Sequence, residues 1–221
     1  MIRIVLADDQ SLLRAGLRSV LAAEEDLVVV GEASDGAQAA RTAQALDADV
    51  VLMDIQMPGV DGIEGLRRIA AGGVRAKVLM LTMFDLDEYV YGALRAGASG
   101  FLLKSAQPEE IVRAVRDVHE GALLFAPTVT QRLVEAYVRT PPVVDGVPEA
   151  LAGLTERELD VVSGIARGLS NAEIGAELHL GEATIKAHVS HILGKLDLRD
   201  RVQVVVLVYE SGFVTGQRTQ R

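Results

Sequence analysis

Three aspartates, a threonine and a lysine are the residues of this chain best suited to chemistry: Asp8 and Asp9 as an adjacent pair, then Asp54, Thr82 and Lys104. A carboxylate can act as a nucleophile toward phosphorus. Three of them close together repel one another unless a proton or cation joins them, and a set of hard oxygen ligands suits Mg2+. A lysine and a hydroxyl beside them could bind the oxygens of a phosphoryl group. Taken singly, each of these residues is explained as well by capping a strand. Taken together they end four separate apolar segments, and that coincidence points to a site.

The segments that must position them are short and rich in Val, Leu and Ile: Ile2–Ala7, Leu27–Ala33, Val50–Asp54, Lys77–Thr82 and Gly100–Leu103. Runs of this kind read as buried parallel strands. Stretches with helical spacing lie between and after them, at 11–23, 37–46, 62–71, 87–96 and 109–120. Strict alternation implies an α/β fold, a doubly wound five-stranded parallel sheet, whose ligands bind outside the carboxyl ends of the strands. That is where the five polar residues fall.

Beyond Gly121 the pattern changes. A helix is expected near 128–139, followed by TPPVVDGVPE, whose prolines break helix and sheet alike. The expected division is a first domain at 1–121, a linker at 122–150, a smaller all-α domain at 151–214 and a tail at 215–221. Two capping boxes, Thr155 with Glu158 and Ser170 with Glu173, mark helix starts in the second domain. Ile185, Val189, Ile192 and Leu196 share one helical face, which is core; the opposite face carries Ala183, Ala187, Ser190 and Gly194, with Lys186 and His191 at its margins.

There is no cysteine among the 221 residues, which excludes disulfides, thiolate metal sites and a cysteine nucleophile and suits a reducing compartment. The N-terminal apolar run is too brief for a signal peptide, and no run approaches a membrane span, so a cytoplasmic protein with no membrane contact is expected. The net charge of -9 argues against a nucleic-acid partner until its distribution is considered. Residues 1–149 hold 14 Lys and Arg against 22 Asp and Glu, whereas residues 150–221 hold 8 against 9. The acid is concentrated in the first domain.

The first 120 or so residues resemble the response-regulator receiver family through IVLADD, VVLMDIQMPGVDG, VLMLT and AGASGFLLK. The resemblance implies a flavodoxin-like fold in which Asp54 is the phosphoacceptor, supplied by a histidine kinase. It implies a Mg2+ site formed by Asp9, Asp54 and the Gln56 carbonyl, with Asp8 assisting through water, and phosphoryl contacts from Lys104 and Thr82. It also implies a switch in which Thr82 moves toward the phosphoryl group while Phe101 turns inward. Pro58 and Gly62 match the family's shaped loop after the phosphoacceptor, Gly62 being read as a source of backbone freedom. Ser105 stands where many receivers carry a cis proline. Phe84, two residues beyond the threonine, cannot position a water by hydrogen bonding, so a long-lived acyl phosphate is expected.

Residues 154–213 resemble the LuxR-type helix-turn-helix family through LTERELDVVSGIARGLSNAEIGAELHL, ATIKAHVSHILGKL, RVQ and SGFV. With the receiver, this matches the NarL/FixJ class of response regulators, which are not enzymes. The partner it implies is double-stranded promoter DNA, with Thr184, Lys186, Ala187, Ser190, His191, Lys195 and Arg199 as contacts and Arg201 as a further basic candidate. His188 and His191 lack a cysteine or adjacent carboxylate to complete a zinc site. Gly181 replaces the family's usual serine N-cap. The run at 204–209 would be a strand by propensity, but the resemblance makes it helical. As a helix it is apolar on all sides, more than one small domain is expected to bury, so part of it should pack on another subunit in a homodimer favoured by phosphorylation. Two other functions compete. A DNA-binding regulator could use the first domain only as an interaction module, independent of phosphate. A Mg2+-dependent aspartyl-phosphate phosphatase would instead carry its nucleophile in a D-x-D pattern at the end of the first strand, which is not the pattern of Asp8 and Asp9.

Overall fold

The computed structural model describes residues 1–83, 87–121 and 147–213. Phe84, the helix expected near 128–139 and the tail at 215–221 lie outside the described residues. Contacts divide the chain into two units, Met1–Val129 and Thr130–Arg221.

In the first unit five strands, β1 (Ile2–Ala7), β2 (Leu27–Ala33), β3 (Val50–Asp54), β4 (Lys77–Thr82) and β5 (Gly100–Leu103), alternate with α1 (Ser11–Leu21), α2 (Gly36–Ala45), α3 (Gly62–Ala71), α4 (Asp87–Ala96) and α5 (Pro108–Glu120). All strand pairs are parallel and the order is β2-β1-β3-β4-β5. The segments are strands because each is a run of residues that a sheet covered on both faces must bury. β3, at the centre, is buried at every position. On one face Ile2, Ile4, Leu6, Val50, Leu52, Leu79 and Leu81 pack against Leu17 and Leu21 of α1 and Ile111, Val112, Val115 and Val118 of α5. The intervening strand residues, such as Val5, Met53 and Met80, are equally buried on the other face. The order reverses between β1 and β3, and such a switch point opens a crevice at the strand carboxyl ends.

Gly62 is needed for a different reason from the one expected. Its φ is not positive; the left-handed residue of that loop is Gly59, at φ 77°. A Cβ on Gly62 would lie 2.0 Å from the Asp54 carbonyl oxygen, so glycine there permits α3 to start directly against the phosphoacceptor candidate.

The second unit, in its described part, begins with a 3-10 turn at Glu149–Leu151 and continues with α6 (Glu156–Ala166), α7 (Asn171–Leu178), α8 (Glu182–Leu196) and α9 (Arg201–Glu210). Both expected capping boxes start their helices, at α6 and α7. α8 starts from Gly181 without a side-chain cap. Between α7 and α8, His179 adopts a left-handed φ of 55°, and a Cβ on Gly175 would lie 2.7 Å from the Leu180 carbonyl, so the turn is drawn close against α7.

α9 is helical despite its valines. The Asp200 side chain caps the backbone N–H groups of Val202 and Gln203 at 3.0 and 3.2 Å, and the helix packs on α6 and α8, so tertiary context outweighs β propensity. The expectation that this helix leaves an apolar face for another subunit finds little surface there: Val204, Val205, Val206 and Val208 are buried within the single chain, and Leu207 and Tyr209 are part-buried. No helix among the described residues is long and apolar enough to cross a membrane.

Candidate functional site

The five chemically interesting residues of the first unit converge at the carboxyl end of the sheet. β1 ends at Ala7, so Asp8 and Asp9 follow it; β3 ends in Asp54 and β4 in Thr82; Lys104 follows β5. Main-chain hydrogen bonds continue past the strands, from Ile55 N–H to Leu81 (3.3 Å) and from Lys104 N–H to Thr82 (2.8 Å), and hold the three ends in register. A cleft of about 260 Å³ opens there, lined by Asp9, Gln10, Asp54, Ile55, Gln56, Thr82, Met83 and Lys104.

The Lys104 ammonium lies 2.7 Å from Asp8 Oδ2 and 2.8 Å from Asp54 Oδ2, and all three groups are buried. Asp8 Oδ1 accepts a hydrogen bond from Gln10 N–H at 2.8 Å, which commits both oxygens of that carboxylate. Asp54 Oδ1 has only a long contact from Gln56 N–H, at 3.4 Å. Burial raises the pKa of Asp54 above its ordinary value, a shift that Lys104 partly offsets and Asp8 reinforces. Burial alone would lower that of Lys104, but Asp54 and Asp8 outweigh it and the ammonium is stabilised.

One oxygen from each of Asp8, Asp9 and Asp54 lies within 4.8 Å of the others, an arrangement fit for a metal ion. The donor set is all oxygen and carries three negative charges against one lysine, which suits a hard divalent cation of the Mg2+ kind. Asp54 Oδ1 and the exposed Asp9 carboxylate are the donors left for it, with Gln56 on the cleft wall. Thr82 also lines the cleft. Phe101 is already buried, so the expected inward turn starts from a ring that is inside.

On α8 of the second unit, Thr184, Lys186, Ala187, Ser190, His191 and Lys195 are exposed, as is Arg199 beyond it, while Ile185, Val189 and Ile192 are buried. Lys195 has a second engagement: its ammonium lies 2.7 Å from the buried Glu158 carboxylate at the start of α6. Arg201, read from sequence as a candidate for DNA, is corrected. It is 4% exposed and its guanidinium donates to Asn171 Oδ1 and the Leu169 carbonyl, tying α9 to the start of α7.

Sequence reasoning missed Arg14 and Glu32. Arg14 on α1 donates to the Asp8 main-chain carbonyl and lies 3.1 Å from Glu32 of β2, which also pairs with Arg18. An arginine on a helix surface and a glutamate in a strand carry no local signal; only the β1–β2 register, Leu6 opposite Glu32, brings them together.

Comparison with known proteins places this geometry among relatives. Residues 4–116 match the response regulator receiver domain, and residues 152–208 match the bacterial regulatory proteins of the luxR family. The chain is 40% identical to the transcriptional regulatory protein LnrK of Bacillus subtilis, over 96% of this chain and 98% of that one. It is 37% identical to the nitrate/nitrite response regulator protein NarP of Escherichia coli, over 95% of each. Among solved structures it is similar to the response regulator ChrA of a heme-sensing two-component system, with a TM-score of 0.52, 37% identity, and coverage of 96% of this chain and 98% of that one. A LuxR-family two-component response regulator from Aurantimonas covers 62% of this chain and 97% of its own, with a TM-score of 0.57 and 34% identity.

Proposed function

This chain belongs to the two-component response regulators that join a receiver domain to a LuxR-type helix-turn-helix domain, DNA-binding transcription regulators and not enzymes, and from that membership we propose that phosphorylation of Asp54 controls its association on DNA. The observation that carries the proposal is the Lys104 ammonium seated between Asp8 and Asp54 at the edge of a cleft that Asp9 and Thr82 also line.

The Asp54 carboxylate is the nucleophile, taking a phosphoryl group from the histidine kinase. Lys104 supplies a fixed cation where the transferred oxygens gather charge, and Thr82 offers them a hydroxyl. Asp9, Asp54 and the Gln56 carbonyl would hold Mg2+ directly, with Asp8 acting through water because both of its oxygens are engaged. A bound Mg2+ offsets negative charge on the phosphoryl group. Thr82 and Phe101 relay the new charge to the surface of α4 and β5, a local change that biases a two-state element.

The receiver occupies 1–121, a linker 122–150 and the DNA-binding domain 151–214. Lys186, Lys195 and Arg199 neutralise phosphates while Thr184, Ala187, Ser190 and His191 approach the bases of the major groove. The protein works in the cytoplasm and binds promoter DNA as a homodimer, because one protomer brings few cations.

The test is Mg2+-dependent labelling of the full chain by acetyl phosphate. Wild type should label, and Asp54→Ala should lose labelling while keeping its far-ultraviolet circular dichroism. Undiminished labelling of that variant overturns the assignment. Genome-wide footprinting with and without the phosphodonor then reads the second half of the proposal; identical footprints would favour a receiver that serves only as an interaction module.

A further inference from the structure

We propose that Arg14 is a positioning residue for the acidic cleft: it fixes the Asp8–Asp9 peptide so that the Asp9 carboxylate opens onto the cation position, and Glu32 keeps its charge away from the cleft carboxylates. The inference rests on the reading of Asp9 and Asp54 as cation ligands.

Four polar groups of Asp8 are restrained. Its N–H donates to the Ala33 carbonyl at 3.1 Å, one carboxylate oxygen accepts from Gln10 N–H and the other pairs with Lys104. The main-chain carbonyl is the fourth, and it accepts from the Arg14 guanidinium. That carbonyl belongs to the peptide joining Asp8 to Asp9, so holding it sets the plane from which Asp9 departs. Among the described residues the Asp9 carboxylate has no hydrogen bond or ion pair of its own. The backbone position from which it departs is therefore set by the peptide, and the peptide is held by Arg14.

A guanidinium ordinarily prefers a carboxylate partner, since its planar fork matches one. Glu32 supplies that partner. Its Oε2 lies 3.1 Å from Arg14 Nε and its Oε1 2.5 Å from an Arg18 terminal nitrogen, and the two arginines, one turn apart on α1, hold its carboxyl below the usual carboxylate range. Arg14 is thus aligned from behind by a carboxylate on β2 and presents one remaining donor to Asp8. Arg18 shares the Glu32 contact but, unlike Arg14, does not reach the Asp8 carbonyl, which makes it the internal control.

The experiment uses the full chain and Mg2+ itself, titrated calorimetrically, alongside acetyl phosphate labelling at varied Mg2+. Arg14→Ala should raise the half-saturating Mg2+ about tenfold, as loss of a supporting hydrogen bond behind a metal ligand does, while labelling at saturating Mg2+ stays within about twofold of wild type. Arg14→Lys keeps a cationic donor and should recover part of the loss. Glu32→Gln should shift half-saturation in the same direction as Arg14→Ala, and Arg18→Ala should leave it within about twofold of wild type. If Arg14→Ala fails to fold, the comparison of Arg14→Lys, Glu32→Gln and Arg18→Ala still decides. Half-saturation unchanged in both Arg14 variants, or shifted equally by Arg18→Ala, overturns the inference. A wild-type chain that binds no Mg2+ overturns the cation-site reading beneath it.

Discussion

At the scale of single residues, Arg201 shows how burial changes what a charge is for. In sequence it belongs with Lys186, Lys195 and Arg199 as one more cation near the helix expected to read DNA. In the fold its guanidinium is buried against Asn171 and the Leu169 carbonyl, and burial pushes its pKa down to about 10. Arg201→Ala removes both hydrogen bonds and a buried side chain and leaves two part-buried acceptors without their donor, so it should destabilise the C-terminal unit by about 2 kcal/mol. The measurement is the urea midpoint of that unit's transition, followed together with the salt dependence of DNA binding. An unchanged midpoint with a shallower salt dependence would return Arg201 to the DNA surface. The acidic cleft was legible in sequence because its residues end strands, and a strand end fixes where a side chain is. Arg201 was not, because basic type alone does not distinguish a residue that opens a helix toward the interior from one that opens it toward solvent. Arg14 was hidden for a related reason: its partner Glu32 is on another element, and nothing local to either residue announces the pairing.

At the scale of elements, most boundaries were readable because periodicity, caps and composition agree. The five strands, the two capping boxes and the core face of α8 all follow from local pattern. α9 is where local and tertiary preferences part, since its valines favour a strand and its burial requires a helix. The link between α6 and α8 was also invisible, because it joins a capping-box glutamate to a lysine assigned elsewhere. Burial works against the Glu158 carboxylate, but the Lys195 ammonium and the Thr155 backbone and hydroxyl outweigh it and hold its pKa down to about 2, from an ordinary value of 4.5. A carboxyl whose folded pKa is depressed contributes stability that is fully present above its unfolded pKa and is lost as pH falls through the folded one. The contribution is therefore intact above pH 4.5 and disappears toward pH 2. Discounted for solvent around the half-exposed Lys195, it is about 1–2 kcal/mol. Glu158→Gln should be less stable than wild type at pH 6, and the difference should close as pH falls from 4.5 to 2. Thermal melts of both proteins across that range measure it; a gap that stays constant would mean that Glu158 contributes through packing and capping rather than charge.

At the scale of the whole molecule, the distribution of charge decides how the protein can hold DNA. The chain carries -9 overall, so it has no general attraction for a polyanion, and binding must come from a local surface. That surface is thin. Lys195 is shared with Glu158 and Arg201 is withdrawn into the core, so the expected basic contacts shrink from four towards the exposed Lys186 and Arg199. The apolar face of α9 argues for a dimer only weakly, because the chain itself buries Val204, Val205, Val206 and Val208, but the small number of cations argues for one more strongly. Two protomers double each contact and place two recognition helices on two half-sites. The salt dependence of binding can count them. Each neutralised phosphate contributes about 0.9 to the slope of log affinity against log salt, so losing Lys186 from one protomer should reduce the slope by about 0.9 and from two by about 1.8. The expected result for Lys186→Ala on a footprinted operator is weaker binding with the larger reduction. The smaller reduction would mean that one protomer binds, and an unchanged slope would remove Lys186 from the interface. Acetyl phosphate should raise the affinity of wild type and promote association in sedimentation without altering the bases protected, if, as proposed, the receiver acts on assembly and α8 reads the sequence. Phosphorylation that changes neither association nor affinity would separate the two domains' activities and overturn the coupling between them.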